Sequence, residues 1–147
     1  MEKLDDSLLK RVYTGGTFDL LHPGHIDFLK KCSEFGSVTV SLNSDEFIER
    51  YKGKKPIFSF EERKYIISSL KFVSEVIINE GDEDSKKSIL KVKPNFIVVG
   101  SDWVEKDYCK QMTFDEKFLI KNNITLIFIP RLKNFSSSNI KKLINES

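Results

Sequence analysis

Short apolar runs recur along the chain, each closed off by polar residues: Val12 with Tyr13, then Val38, Val40 and Leu42, then residues 76–78, 96–99 and 126–129. They are rich in β-branched and aromatic side chains, which suit a pleated surface, and they predict strands over residues 11–14, 37–42, 75–78, 95–99 and 125–129. Between them the period lengthens, with apolar positions falling three and four apart. That spacing predicts helices over residues 26–34, 44–50, 59–69, 85–92, 115–121 and 136–145. Ser59 followed by Glu62 has the form of a capping box, and Asp84 or Ser85 can cap the helix after it.

Strand and helix in alternation imply βαβ units with right-handed crossovers, and so an α/β fold: a doubly wound, mainly parallel five-stranded sheet. Ligands of such sheets bind beyond the carboxyl ends of the strands. A length of 147 residues with 39% hydrophobic content suits a single domain over residues 1–147 with a sizeable core. No apolar run approaches the ~18 residues of a membrane span, and the charged first ten residues lack a signal-peptide core, so a cytoplasmic protein is expected. Cys32 and Cys109 are then expected as reduced thiols. A net charge of +2, with lysines scattered at helical spacing, argues against nucleic acid as a partner.

Chemistry concentrates in residues 13–25, which hold both histidines of the protein together with Gly15, Gly16, Gly24 and Asp19. The pattern reads as strand, tight turn, helix. A helix start offers backbone N–H groups and the positive end of its dipole, both of which favour a bound phosphate. The order His22, Pro23, Gly24, His25 lets both imidazoles face one anion as donors. Zinc binding, core packing and helix capping are other uses of such a pair. Zinc usually takes three or four ligands, and Cys32 and Cys109 form no ligand cluster in sequence with these histidines. A second dense stretch, residues 50–56, carries four positive charges in seven residues around Gly53 and ends on Pro56, as a basic loop would.

The residues Gly16, Thr17, Phe18, Asp19, Leu20, Leu21, His22, Pro23, Gly24 and His25 resemble the HxGH signature of the nucleotidyltransferase superfamily, in the longer form typical of its cytidylyltransferase branch. The chain is most similar to the small bacterial glycerol-3-phosphate cytidylyltransferases. The likeness continues through residues 44–47, 51–54, 62–64, 100–103, 130–131 and 136–138, and so spans about residues 10–145. It implies a Rossmann-like domain and transfer of CMP from CTP to a small phosphorylated acceptor with release of pyrophosphate. Mg²⁺ would be carried on the CTP phosphates without protein ligands, and a homodimer is implied.

Carried over position by position, the resemblance implies catalytic roles for His22, His25, Lys52 and Arg131. It places the nucleotide on Thr14, Gly15, Gly16, Thr17, Phe18, Gly24, Gly100, Asp102, Trp103, Ser136, Ser137 and Ser138, with Asp102 and Trp103 beside cytosine and ribose. The acceptor falls to Asp19, Lys52, Lys54 and Arg63, with Asp19 also able to orient its loop or the water shell of the metal. This chain has Ser101 where relatives often carry a second acid, and Asn134 and Phe135 where they have Gly and Ile. The serine tract at residues 136–138 also resembles the adenylyltransferase branch, so ATP as nucleotide and a non-catalytic nucleotide-binding module stand as alternatives. Glycerol 3-phosphate is the first acceptor to consider. A phosphorylated amino alcohol, amino acid or sugar for a surface polymer follows, because residues 104–113 are longer than their counterpart in the relatives.

Overall fold

The computed structural model describes residues 9–80, 85–100, 116–130 and 137–146. Along the chain these form β1 (Arg11–Gly16), α1 (Pro23–Ser33), β2 (Ser37–Leu42), α2 (Asp45–Lys52), α3 (Phe60–Ser68), β3 (Glu75–Ile78), α4 (Lys86–Val92), β4 (Phe96–Gly100), α5 (Glu116–Lys121), β5 (Thr125–Ile129) and α6 (Ser137–Glu146). The five strands make one parallel sheet in the order β3-β2-β1-β4-β5. The alternation expected from the sequence is therefore present, and the order reverses between β1 and β4.

Helices cover both faces of this sheet. On one, Leu29 and Cys32 of α1 and Ile67 of α3 pack on Val12, Val38, Val40, Leu42 and Val98. On the other, Ile89 of α4 and Leu119 of α5 pack on Tyr13, Ile97 and Val99. Each fully buried Leu, Ile or Val contributes roughly 1.5–3 kcal/mol of transfer free energy, so the two layers together fix where the strand ends lie. Among the described residues, no helix is long and apolar enough to cross a membrane.

Four local features differ from the expectation. β1 runs on through both glycines to Gly16, where its partner strand β2 stays in register as far as Gly16↔Leu42. α1 opens at Pro23, three residues earlier than the apolar pattern shows, because a proline at the first helical position gives up no hydrogen bond. α2 continues through Lys52 and is closed by Gly53 in the left-handed region at φ 75°, so Lys52 ends a helix rather than sitting in a loop. Ser59 and Glu62 do form their capping box. Ser85 makes no cap bond and donates instead to Asn79 Oδ1 at 3.4 Å, while Asp84 lies outside the described residues.

Cys32 lies in the first of these layers with no exposure, and burial pushes its thiol up to about 12. A thiol that rarely ionises is a poor nucleophile. Alkylation of the native protein near pH 8, read peptide by peptide by mass spectrometry, is expected to leave Cys32 unmodified until denaturant is added. Rapid native labelling of that peptide would contradict the packing.

Candidate active site

The pairing of β1 with β4 runs through Val12↔Phe96 and Tyr13↔Ile97. Beyond those pairs the carboxyl ends of the two strands bound a cavity of about 100 Å³, at the point where the strand order reverses. It is lined by Thr14, Gly15, Gly16, Thr17 and Phe18, by His22, Gly24 and His25, and by Phe28, Val99 and Gly100. Every nucleotide-site position inferred up to Gly100 is thus gathered here, and Phe28 and Val99 join them without a sequence signal beyond their apolar character. A Cβ on Gly16 would stand 3.0 Å from Phe18 Cε2, which explains the glycine where the Phe18 ring folds back over the strand end.

The two histidines cap α1 and line the cavity at once. His22 is the N-cap residue, and its Nδ1 accepts from Gly24 N–H at 3.1 Å. His25 Nδ1 accepts from His22 N–H at 3.3 Å, completing a capping box built from imidazoles. A ring whose Nδ1 accepts carries its hydrogen on Nε2, so both rings bear donors at Nε2. The rings stack with centroids 3.7 Å apart, and Phe18 leans on His25 at 5.3 Å.

This arrangement changes the source of the anion donors. Pro23 has no N–H, Gly24 N–H is taken by His22 Nδ1, and His25 N–H is taken by His22 O at 3.0 Å. The amides of the first turn are therefore spent, contrary to the expectation that they would meet a phosphate. The two imidazoles, whose Nδ1 atoms take up the cap bonds, are the polar side chains of this helix start that line the cavity.

Asp19 and Arg63 are corrections to the acceptor set. Asp19 is buried, its Oδ2 accepting from Ile57 N–H at 2.8 Å and its Oδ1 from Phe58 N–H at 3.0 Å, with Lys141 Nζ 3.2 Å from Oδ2. Burial works against its charge, yet the amides of Phe58 and Ile57 and the Lys141 ammonium prevail and hold its pKa below the usual carboxylate value. Its carboxylate orients the loop, one of the roles the sequence allowed.

Arg63 has no exposed surface. Its guanidinium donates to Phe58 O at 3.1 Å, to Thr17 O at 2.9 Å and to Asp45 Oδ1 at 2.7 Å. Held by three partners and with no exposed surface, the guanidinium is an internal cross-link in this structure.

Lys52, Lys54 and Lys55 are exposed at and just after the end of α2. Although Lys52 is exposed as a residue, partial desolvation of its ammonium, followed by the charge of Lys141, lowers its pKa, with Asp19 opposing. Asp102, Trp103, Arg131 and Ser136 lie outside the described residues, and Ser137 and Ser138 form the backbone of the first turn of α6. The sequence did not single out Lys141. Nor did it single out Asn43, which donates to Thr17 Oγ1 at 3.3 Å and accepts from Asn79 Nδ2 at 3.1 Å, linking the glycine turn to the ends of β2 and β3. Among the described residues, no three His, Cys, Asp or Glu side chains cluster as a metal ion would need.

Comparison with known proteins follows the same lines. The cytidylyltransferase-like family model matches residues 13–143. A glycerol-3-phosphate cytidylyltransferase of Bacillus subtilis is 35% identical over 137 residues, covering 92% of this chain and 98% of that one. An FAD synthase of Korarchaeum cryptofilum is 31% identical over 140 residues, covering 92% and 91%. Among solved structures, the lipopolysaccharide core biosynthesis protein of Thermoplasma volcanium superposes with a TM-score of 0.68 at 31% identity, covering 85% of this chain and 99% of that one.

The buried setting of Arg63 has a direct consequence. Arg63→Ala is expected to lower stability by about 3 kcal/mol, the low end for breaking a buried pair because Asp45 reaches water, and Arg63→Lys should recover only part. Urea unfolding measures this. An unchanged midpoint combined with a raised KM would return Arg63 to the substrate.

Proposed function

Because the chain belongs to the cytidylyltransferase-like family, we propose that it transfers CMP from CTP to a small phosphorylated acceptor and releases pyrophosphate. Membership makes it a nucleotidyltransferase. The choice of CTP and of a phosphorylated acceptor rests on similarity to a glycerol-3-phosphate cytidylyltransferase that the chain matches almost end to end. One observation carries the chemistry: two imidazoles, each with Nδ1 accepting in the cap of α1, line a cavity at the switch point of a parallel sheet.

An acceptor phosphate oxygen attacks the α-phosphorus of Mg²⁺–CTP in line. As that P–O bond forms, the bond to the oxygen bridging toward the β-phosphate breaks, and its electron pair leaves with pyrophosphate. Negative charge gathers on the non-bridging oxygens and on the leaving group. His22 and His25 offer neutral, preorganised donors to that charge, while Lys52 at the end of α2 supplies a mobile cation. No protein nucleophile takes part. Mg²⁺ would enter with the nucleotide, held on its phosphates. At about 100 Å³ the cavity suits phosphate groups rather than a whole nucleotide, so the base extends past Gly100, toward Asp102 and Trp103 in sequence. Glycerol 3-phosphate is the first acceptor to test, and a cytoplasmic setting supplies both substrates.

A second reading, adenylyl transfer from ATP, is favoured by the FAD synthase similarity, since that relative's named product contains an adenylyl group. The triphosphate contacts serve either nucleotide, and the base pocket must choose.

Either His22→Ala or His25→Ala is expected to lower kcat by roughly 10²-fold or more, the scale of removing one preorganised donor. Loss of the cap bond costs ~1 kcal/mol besides. A folded His25→Ala protein turning over at the native rate would refute the donor role. For the nucleotide, pyrophosphate release is expected to favour CTP over ATP by roughly 10²-fold in kcat/KM. Tighter calorimetric binding of Mg²⁺–ATP than of Mg²⁺–CTP, together with ATP-dependent turnover, would establish the second reading instead.

A further inference from the structure

Charges from three elements meet at Asp19. Lys141 reaches it from α6, the Ile57 and Phe58 amides reach it from the segment before α3, and Lys52 at the end of α2 feels both Asp19 and Lys141. The Asp19 side chain is only 4% exposed whereas that of Lys141 is 40% exposed, so the ammonium approaches the carboxylate from the solvent side and keeps donors for another partner. One carboxylate, already receiving two amides, stands against two ammonium groups. The balance is an excess positive charge beside the loop that carries Phe18 and His22 to the cavity, yet neither lysine lines that cavity.

We propose that Lys141 of α6 joins Lys52, which the family resemblance already assigns to the acceptor, in binding the acceptor's phosphate group, with Asp19 holding Lys141 in position for it. The inference rests on the nucleotidyl-transfer reading of the neighbouring cavity. It assigns to α6 a substrate contact separate from the serines at the helix start. The cluster lies outside the cavity, which has its own donors for the nucleotide phosphates, and so its anion is the acceptor's. A phosphomonoester carries up to two negative charges and three oxygens. Two lysine heads can follow such a group as it moves from ground state to in-line attack, where a rigid guanidinium fork could not. A bound dianion also offsets the desolvation, and after it the Lys141 repulsion, that lower the pKa of Lys52.

Inorganic phosphate is the probe that tests this without catalysis. In lysine-labelled protein without nucleotide, titration with phosphate is expected to shift the Lys52 and Lys141 side-chain signals together and saturably. Lys141→Gln should weaken that binding by roughly tenfold while leaving Mg²⁺–CTP affinity within about twofold. In turnover with a phosphorylated acceptor the same change should raise the acceptor KM by roughly tenfold with kcat little altered, and Lys141→Arg, which keeps the charge but not the mobile ammonium, should restore only part of the loss. Absence of a saturable Lys141 shift, or an equal loss of nucleotide affinity in Lys141→Gln, would overturn the proposal. If no nucleotide supported turnover, the proposed function would fall, while the phosphate titration would still decide the site.

Discussion

The site depends first on a brace across the loop that follows β1. Phe18 and Leu20 both adopt left-handed backbone, at φ 50° and 52°, a conformation that bulky residues reach only at a cost of order 1–3 kcal/mol each. Between them sits Asp19, whose carboxylate takes the N–H groups of Ile57 and Phe58, while Arg63 grips Thr17 O on one side and Phe58 O on the other. Two oppositely charged, buried side chains thus fasten the same two segments together. Their hydrogen bonds offset the strain of the loop and leave it one shape. That shape presents the Phe18 ring to His25 and delivers the chain to His22 at the angle needed to cap α1.

What the brace positions is a donor pair in place of a bare helix end. A helix start ordinarily meets an anion with its own amides, but Pro23 contributes none here and His22 consumes those of Gly24 and His25. The imidazoles carry the donor function outward by the length of a ring. Because each Nδ1 is committed to the backbone, the hydrogen on each Nε2 is fixed by the fold and need not be arranged when a ligand arrives. Stacking of the two rings at 3.7 Å keeps their donors close enough to serve neighbouring oxygens. Preorganisation of this kind lowers the cost of reaching a charged transition state.

Much of this was legible in the sequence because period and spacing are local. The strands at residues 37–42, 75–78 and 125–129 were placed to the residue by their apolar, β-branched runs. The histidine spacing marked the site, and chain-long motif order marked the family, as the match over residues 13–143 bears out. Pairings distant in sequence were not legible. Arg63 was assigned to the acceptor by resemblance, because its partners Thr17 and Phe58 lie in other segments and leave no local mark. A signal was present nonetheless: Phe60, Arg63, Ile67 and Leu70 recur at helical spacing, and that stripe faces the core, with Ile67 fully buried. An arginine on a buried stripe is an internal cross-link before it is a ligand contact. Lys141 had no such mark, being one of two adjacent lysines whose difference comes only from where α6 lands.

The brace also separates two directions. Phe18 turns toward the cavity, and the next residue, Asp19, turns toward Lys141 and the segment before α3, so neighbouring positions in the chain serve different sides of the loop. In-line displacement has the same requirement, because the entering and leaving oxygens must lie on opposite sides of the phosphorus. With the nucleotide phosphates on the histidine side and the acceptor phosphate among the lysines, as proposed, the loop would hold the two anions on different sides of the α-phosphorus and leave the line of attack open. Left-handed backbone at Phe18 and Leu20, on either side of Asp19, then becomes a means of aiming neighbouring side chains apart, so that two strongly repelling anions would approach from different sides.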